Sequence, residues 1–195
     1  MVARLLAADI RKLVEESFAK AVLNGKRMPN KARSREFVKV LAEQFRKQYQ
    51  NEPNIKVFSR DWAENRREFG LNELLYDITV CKTGKVNAAK RDIELSYIKE
   101  GICQVESEFS KSSKQGLYDF NKLVLGSAPN KIFIGPRLNN DIVQQAFLDV
   151  FKSAAQACSG NIFIAMVPHP KVWADTDLGV QVYRFNSDSN RWAMI

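Results

Sequence analysis

Apolar positions in the first fifty residues recur every three or four places. Leu5, Leu6, Ile10, Leu13, Val14, Phe18, Ala21 and Val22 form one stripe, at the spacing of an amphipathic helix. Asn24-Gly25 and Pro29-Asn30 interrupt it. Ser34 then reads as the cap of a second helix, with Phe37, Val38, Leu41, Ala42 and Phe45 as its apolar stripe. Asn51-Glu52-Pro53 ends that helix. Beyond it the apolar runs shorten and strands are expected, over residues 55–58 and 74–80, with a charged stretch over 61–69 between them. Lys82-Thr83-Gly84-Lys85 reads as a turn. Residues 88–100 are ambiguous, and a short helix with Ile93, Tyr97 and Ile98 facing inward fits them. A strand follows from Ile102. Leu117, Phe120, Leu123 and Val124 mark a helix that stops near Ala128-Pro129. Strands are expected over 131–135, 161–167 and 180–185. A helix over 142–158 would face the core through Val143, Ala146, Phe147, Val150 and Phe151.

This order predicts an α/β fold: a mixed β-sheet flanked by α-helices, with a helical N-terminal third, as one domain over residues 1–195. A chain of 195 residues can bury a full core. No apolar run is long enough to span a bilayer, so no membrane partner is expected. The opening run is cut short by Asp9, Arg11 and Lys12 and reads as a helix start rather than a signal peptide. Three dispersed cysteines, without a CxxC pair and with one histidine, argue against a zinc site. They fit a reduced, cytoplasmic protein.

The formal net charge is +8, and its distribution matters more than its sum. Residues 1–50 hold twelve Lys/Arg against five Asp/Glu, a surplus of seven. Lys26, Arg27, Lys31, Arg33 and Arg35 lie in one ten-residue segment without an acid. Such a segment can neutralise the phosphates of DNA or RNA; a solvated basic loop is the plainer alternative.

Candidate chemistry lies with the acids. Glu106 and Glu108 end the strand that starts at Ile102, and residues two apart on a strand share a face. Asp77 sits in the apolar run 74–80, which a neighbouring strand could bring beside them. Three carboxylates in one place repel unless a cation joins them. Magnesium is the natural candidate, because it takes oxygen ligands and shares its shell with water and phosphate. Glu73, four residues before Asp77, is a further acid; Glu64 and Glu68 could serve from a helix. Asp92 and Glu94 have more polar surroundings and rank below Asp77. Lys111 and Lys114 could touch a phosphate at the next helix's start, and Lys122 could project back toward the acids. His169, between prolines, reads as part of an ordered loop. Trp62, Trp173 and Trp192 could stack on bases but fit packing as well.

Glu106-Ser107-Glu108 and the following helix, with Asn121-Lys122-Leu123-Val124-Leu125-Gly126, resemble the catalytic strand and helix of the PD-(D/E)xK nuclease superfamily. The likeness is closest to BamHI-type restriction endonucleases, where Glu-x-Glu replaces the usual (D/E)-x-K. It covers about residues 72–135. The resemblance implies a restriction-endonuclease-like fold and Mg2+-dependent cleavage of double-stranded DNA. It makes Asp77 and Glu106 metal ligands and puts Glu108 where lysine is common, with Glu73 as the additional acid. Restriction would further imply a homodimer on a palindrome and a separate methyltransferase. The same fold also serves nonspecific, repair, phage and toxin nucleases, and a catalytically silent nucleic-acid-binding protein is the other alternative. Twenty-eight residues separate Asp77 from Glu106, more than a plain hairpin uses.

Overall fold

The computed structural model describes residues 5–89, 93–173 and 178–195. It is a mixed α/β structure built on a seven-stranded sheet whose strands lie side by side in chain order. Two helices come first: α1 (Ala7–Gly25) and α2 (Asn30–Gln48). Asp9 helps start α1 by accepting the Leu6 amide at 2.9 Å. In α2 the first turn forms at Pro29, whose carbonyl accepts the amides of Ala32 and Arg33. The helix therefore begins ahead of the expected cap, and Ser34 lies inside it, bonding back to the Lys31 carbonyl. This puts Lys31, Arg33 and Arg35 on a helix rather than in a loop.

The sheet opens with an antiparallel meander of β1 (Ile55–Ser59), β2 (Ile78–Asn87) and β3 (Glu94–Ser107), with the short α3 (Glu64–Phe69) between β1 and β2. α4 (Ser113–Val124) crosses to β4 (Asn130–Arg137), parallel to β3. α5 (Asp141–Val150) and α6 (Lys152–Ala157) cross to β5 (Asn161–Pro168), parallel to β4. β6 (Gln181–Asn186) and β7 (Arg191–Met194) close the sheet as an antiparallel pair. Two apolar layers result. Phe37, Leu41 and Phe45 of α2 pack on Ile78, Val80, Val105 and Ile134. On the opposite face Phe120, Phe133, Phe147 and Phe151 form a cluster with α4 to α6, with ring centroids 5.1–5.6 Å apart among the paired rings. Burying each such ring contributes on the order of 2–3 kcal/mol.

Four expectations are corrected. Residues 82–85 are not a turn, and 93–100 are not a helix. β2 runs on to Asn87 and pairs with β3 from Glu94, with register shifts between Val80 and Cys81 and between Lys82 and Thr83. Ile93, Tyr97 and Ile98 are exposed. The long gap between Asp77 and Glu106 is that hairpin; Asp92 lies outside the described residues. Leu74–Asp77 is irregular, and the strand starts at Ile78. The helix expected over 142–158 is two helices broken at Phe151, and it faces the core through Gln144, Phe147, Leu148 and Phe151. Val143 and Val150 are exposed. Gln144 can sit inward because its amide donates to the Tyr183 hydroxyl at 3.0 Å. Among the described residues no helix is long and apolar enough to cross a membrane.

Candidate active site

Three strands bring their ends together. β1 ends at Ser59 opposite Ile78 of β2, and Ile78 lies opposite Val105 of β3. Arg60 follows Ser59, Asp77 precedes Ile78 and Glu106 follows Val105, so the three residues leave the ladders at the same end of the sheet. Ile78 and Val105 belong to the α1–α2 layer, so alternation turns Glu106 toward α4 on the other face. Asp77 is tied down by β3: its Oδ2 accepts the Ser107 amide at 2.9 Å and the Ser107 hydroxyl at 2.6 Å. Its Oδ1 makes no hydrogen bond within the described residues.

Glu106 is 2% exposed. Its Oε2 accepts from Lys122 Nζ at 3.1 Å, and that amine also holds Asp119 Oδ1 at 2.8 Å. Its Oε1 is buried without a hydrogen-bond partner among the described residues. Burial, and next the charge of Asp77, push the Glu106 carboxyl up to about 7, against the pull of Lys122. Burial opposes the charge on Lys122, but Asp119 and Glu106 outweigh it and hold the amine above its ordinary range. The unpartnered oxygen and the neighbouring Asp77 charge form a place short of positive charge, which a divalent cation would relieve. Magnesium needs few protein carboxylates, since water and substrate phosphate complete its shell. Asp77 and Glu106 therefore fit as its protein ligands.

Glu108 does not join them in a three-carboxylate cluster. β3 ends at Ser107; the Glu108 amide still donates to Ile134, but its carboxylate turns to the Ser110 amide at 2.6 Å. Among the described residues no group of three potential metal ligands forms. Glu108 instead lines a cleft of about 370 Å³ with Glu73, Asp77 and Ser107. Glu73 is thus near Asp77, though from a loop rather than a strand. Burial and then Asp77 raise its pKa, while Arg60 opposes the shift. Glu68 is taken up by Lys56 at 3.4 Å and by Ser96, and Glu64 borders a different hollow, so neither lines the cleft with Asp77.

The basic residues divide. Arg35, on α2, lines the acid cleft. Arg33 is occupied in holding the chain: it donates to the carbonyls of Gly25 at 3.0 Å and Pro170 at 2.9 Å. Lys26, Arg27 and Lys31 are exposed. Lys111 and Lys114 flank the start of α4, and Lys114 lies 5.9 Å from the Tyr118 ring centroid. His169 Nδ1 accepts the Lys171 amide at 3.2 Å and so caps a turn. Trp62 lies under Arg46, Trp173 donates to Pro168 and Trp192 to Leu148, so all three are engaged within the fold. Arg60 and Asp61 also line the cleft. Neither is conspicuous in the sequence, and only the β1–β2 register brings them to Asp77. No family model matches the chain, nor does any curated protein or solved structure.

Proposed function

We propose that the chain is a magnesium-dependent endodeoxyribonuclease of the PD-(D/E)xK type, acting in restriction. The observation that carries this reading is the buried, half-unpartnered Glu106 carboxylate next to Asp77 at the ends of β2 and β3. The antiparallel meander followed by a helix and a parallel strand is consistent with the mixed sheet expected for that superfamily. Asp77 and Glu106 would hold the ion; when bound, magnesium supplies charge for the phosphate and acidifies a bound water. Ser107 fixes the Asp77 carboxylate so that Oδ1 stays available. Lys122 balances Glu106 from α4, the role that a strand lysine would otherwise have. Glu108, free of any cationic partner within the described residues, is the base that accepts the proton of the attacking water. Cutting both strands would use a homodimer, and restriction would use a separate methyltransferase to protect the host.

Plasmid DNA incubated with the purified protein tests the reading. Magnesium should give discrete fragments, and EDTA should abolish them. A smear would instead mark a nonspecific nuclease. Glu106→Ala should lower cleavage by about 10²-fold or more, the scale of removing one electrostatic contact to a transition state. A Glu106→Ala protein that cuts like wild type would remove the site from consideration.

A further inference from the structure

The acid cleft has a second wall, and that wall is cationic. Arg35 enters it from α2 and Arg60 from the end of β1, with Asp61, Glu73, Asp77 and Glu108 lining the same 370 Å³ space. Two guanidinium groups among four carboxylates would ordinarily pair. Here neither arginine has a carboxylate within ion-pair distance or a side-chain hydrogen bond to any described residue. The remaining contact of Arg60 is through its backbone carbonyl, which accepts from Asn72. Both side chains are exposed. Two of the four acids are held by other groups: Asp77 by Ser107 and Glu108 by the Ser110 amide. Arg60 lines the cleft together with Glu73, whose carboxyl its charge pulls down against burial and Asp77.

An arginine kept apart from nearby carboxylates is available for an external anion. Its fork of N–H donors matches two oxygens of one phosphate. Arg60 follows Ser59 and Asp77 precedes its partner Ile78, and both line the one cleft. We propose that Arg60, assisted by Arg35, clamps a DNA backbone phosphate in this cleft and seats the neighbouring diester against the acids. This rests on the nuclease reading. It adds that the cleft binds the backbone without a metal and that Arg60 is a positioning residue.

The test is metal-free binding of a fluorescein-labelled 20-base-pair duplex, followed by anisotropy in EDTA across a salt series. Each phosphate contact contributes about 0.9 to the slope of log K against log salt. Arg60→Ala should weaken binding roughly tenfold and lower that slope by about 1. Arg60→Lys should keep the slope but bind more weakly than wild type, because it loses the fork. Arg191→Ala, on the far edge strand, should match wild type. In magnesium, Arg60→Ala should raise KM and lower kcat together, since the diester is both bound and placed less well. Wild-type affinity and slope in both Arg60→Ala and the Arg35→Ala/Arg60→Ala double variant would overturn the clamp. If wild type still cuts DNA in that case, the nuclease reading stands without it. If wild type neither binds nor cuts DNA, the clamp and the reading fall together.

Discussion

At one end of the β2–β3 ladder, Ile78, Val80, Cys103 and Val105 are sealed beneath α1 and α2. At the other, Val86, Leu95, Tyr97 and Ile98 of the same two strands stand in solvent. The backbone pairing is continuous between the two ends apart from the register shifts near Cys81 and Thr83. Packing, not hydrogen bonding, is therefore what separates them. The acids sit at the packed end, where side chains are fixed and burial can move a pKa. The arm holds no part of the site; its length accounts for the distance in sequence between Asp77 and Glu106.

The largest effect expected from this contrast is on stability. Phe133 of β4 is fully buried against Phe120 and Phe151, in the layer that Glu106 faces. Phe133→Ala should cost about 3–5 kcal/mol by urea denaturation. Leu95→Ala on the arm should cost less than about 0.5 kcal/mol. Comparable losses would mean that the arm is packed against something, and the contrast would fail.

The next effect belongs to Glu106. Its folded-state pKa near 7 lies above the ordinary value of 4.5. The folded state thus favours the protonated form. That contribution is fully present below about pH 4.5 and is lost as pH rises through 7. With a shift of this size the metal-free protein should lose up to about 3 kcal/mol between pH 4.5 and 8 from this group. Glu106→Gln carries no such titration. Its denaturation midpoint should hold steady over that range relative to wild type. Equal pH profiles for the two proteins would show that Glu106 is not desolvated as the fold implies.

The elements that could be read from the chain are those with one dominant pattern. The runs at 131–135 and 161–167 are apolar on both faces, and they are buried strands between helical layers. The first two helices follow from their stripes. The arm was obscured because Ile93 and Tyr97 fit a helical spacing while Ile93, Leu95 and Tyr97 fit a strand. Only pairing with β2 decides between them. The inward face of α5 was missed because a hydrogen-bonded Gln144 stands where an apolar residue would be expected. β7 is four residues long and too short to leave a period. At the site, adjacency of Asp77 and Glu106 was legible, since Asp77 lies within one apolar run and Glu106 ends another. The turn of Glu108 away from Glu106 was not, because it depends on the strand stopping at Ser107. Lys122 was visible as a cation on the helix, three residues from Asp119, but its bridge to Glu106 needed α4 to be packed on β3.

The smallest effects compare two glycines, one for each region. A methyl group on Gly84 of the arm would come within 2.7 Å of the Tyr97 ring; one on Gly126, after α4, would come within 2.1 Å of Gln104 Oε1. Both clashes are severe on paper, yet their costs should differ. Tyr97 is 44% exposed and can swing away into solvent. Gln104 is 7% exposed, and its Oε1 accepts the buried Ala128 amide at 3.3 Å. Moving it would leave that donor unpaired, which costs on the order of 1–3 kcal/mol. Gly126→Ala should therefore lower stability by about 2 kcal/mol, and Gly84→Ala by less than about 0.5 kcal/mol. Thermal melts of the two variants decide the matter. A Gly84→Ala loss as large as that of Gly126→Ala would mean that Tyr97 is held in place, and that the arm is as rigid as the end that carries the acids.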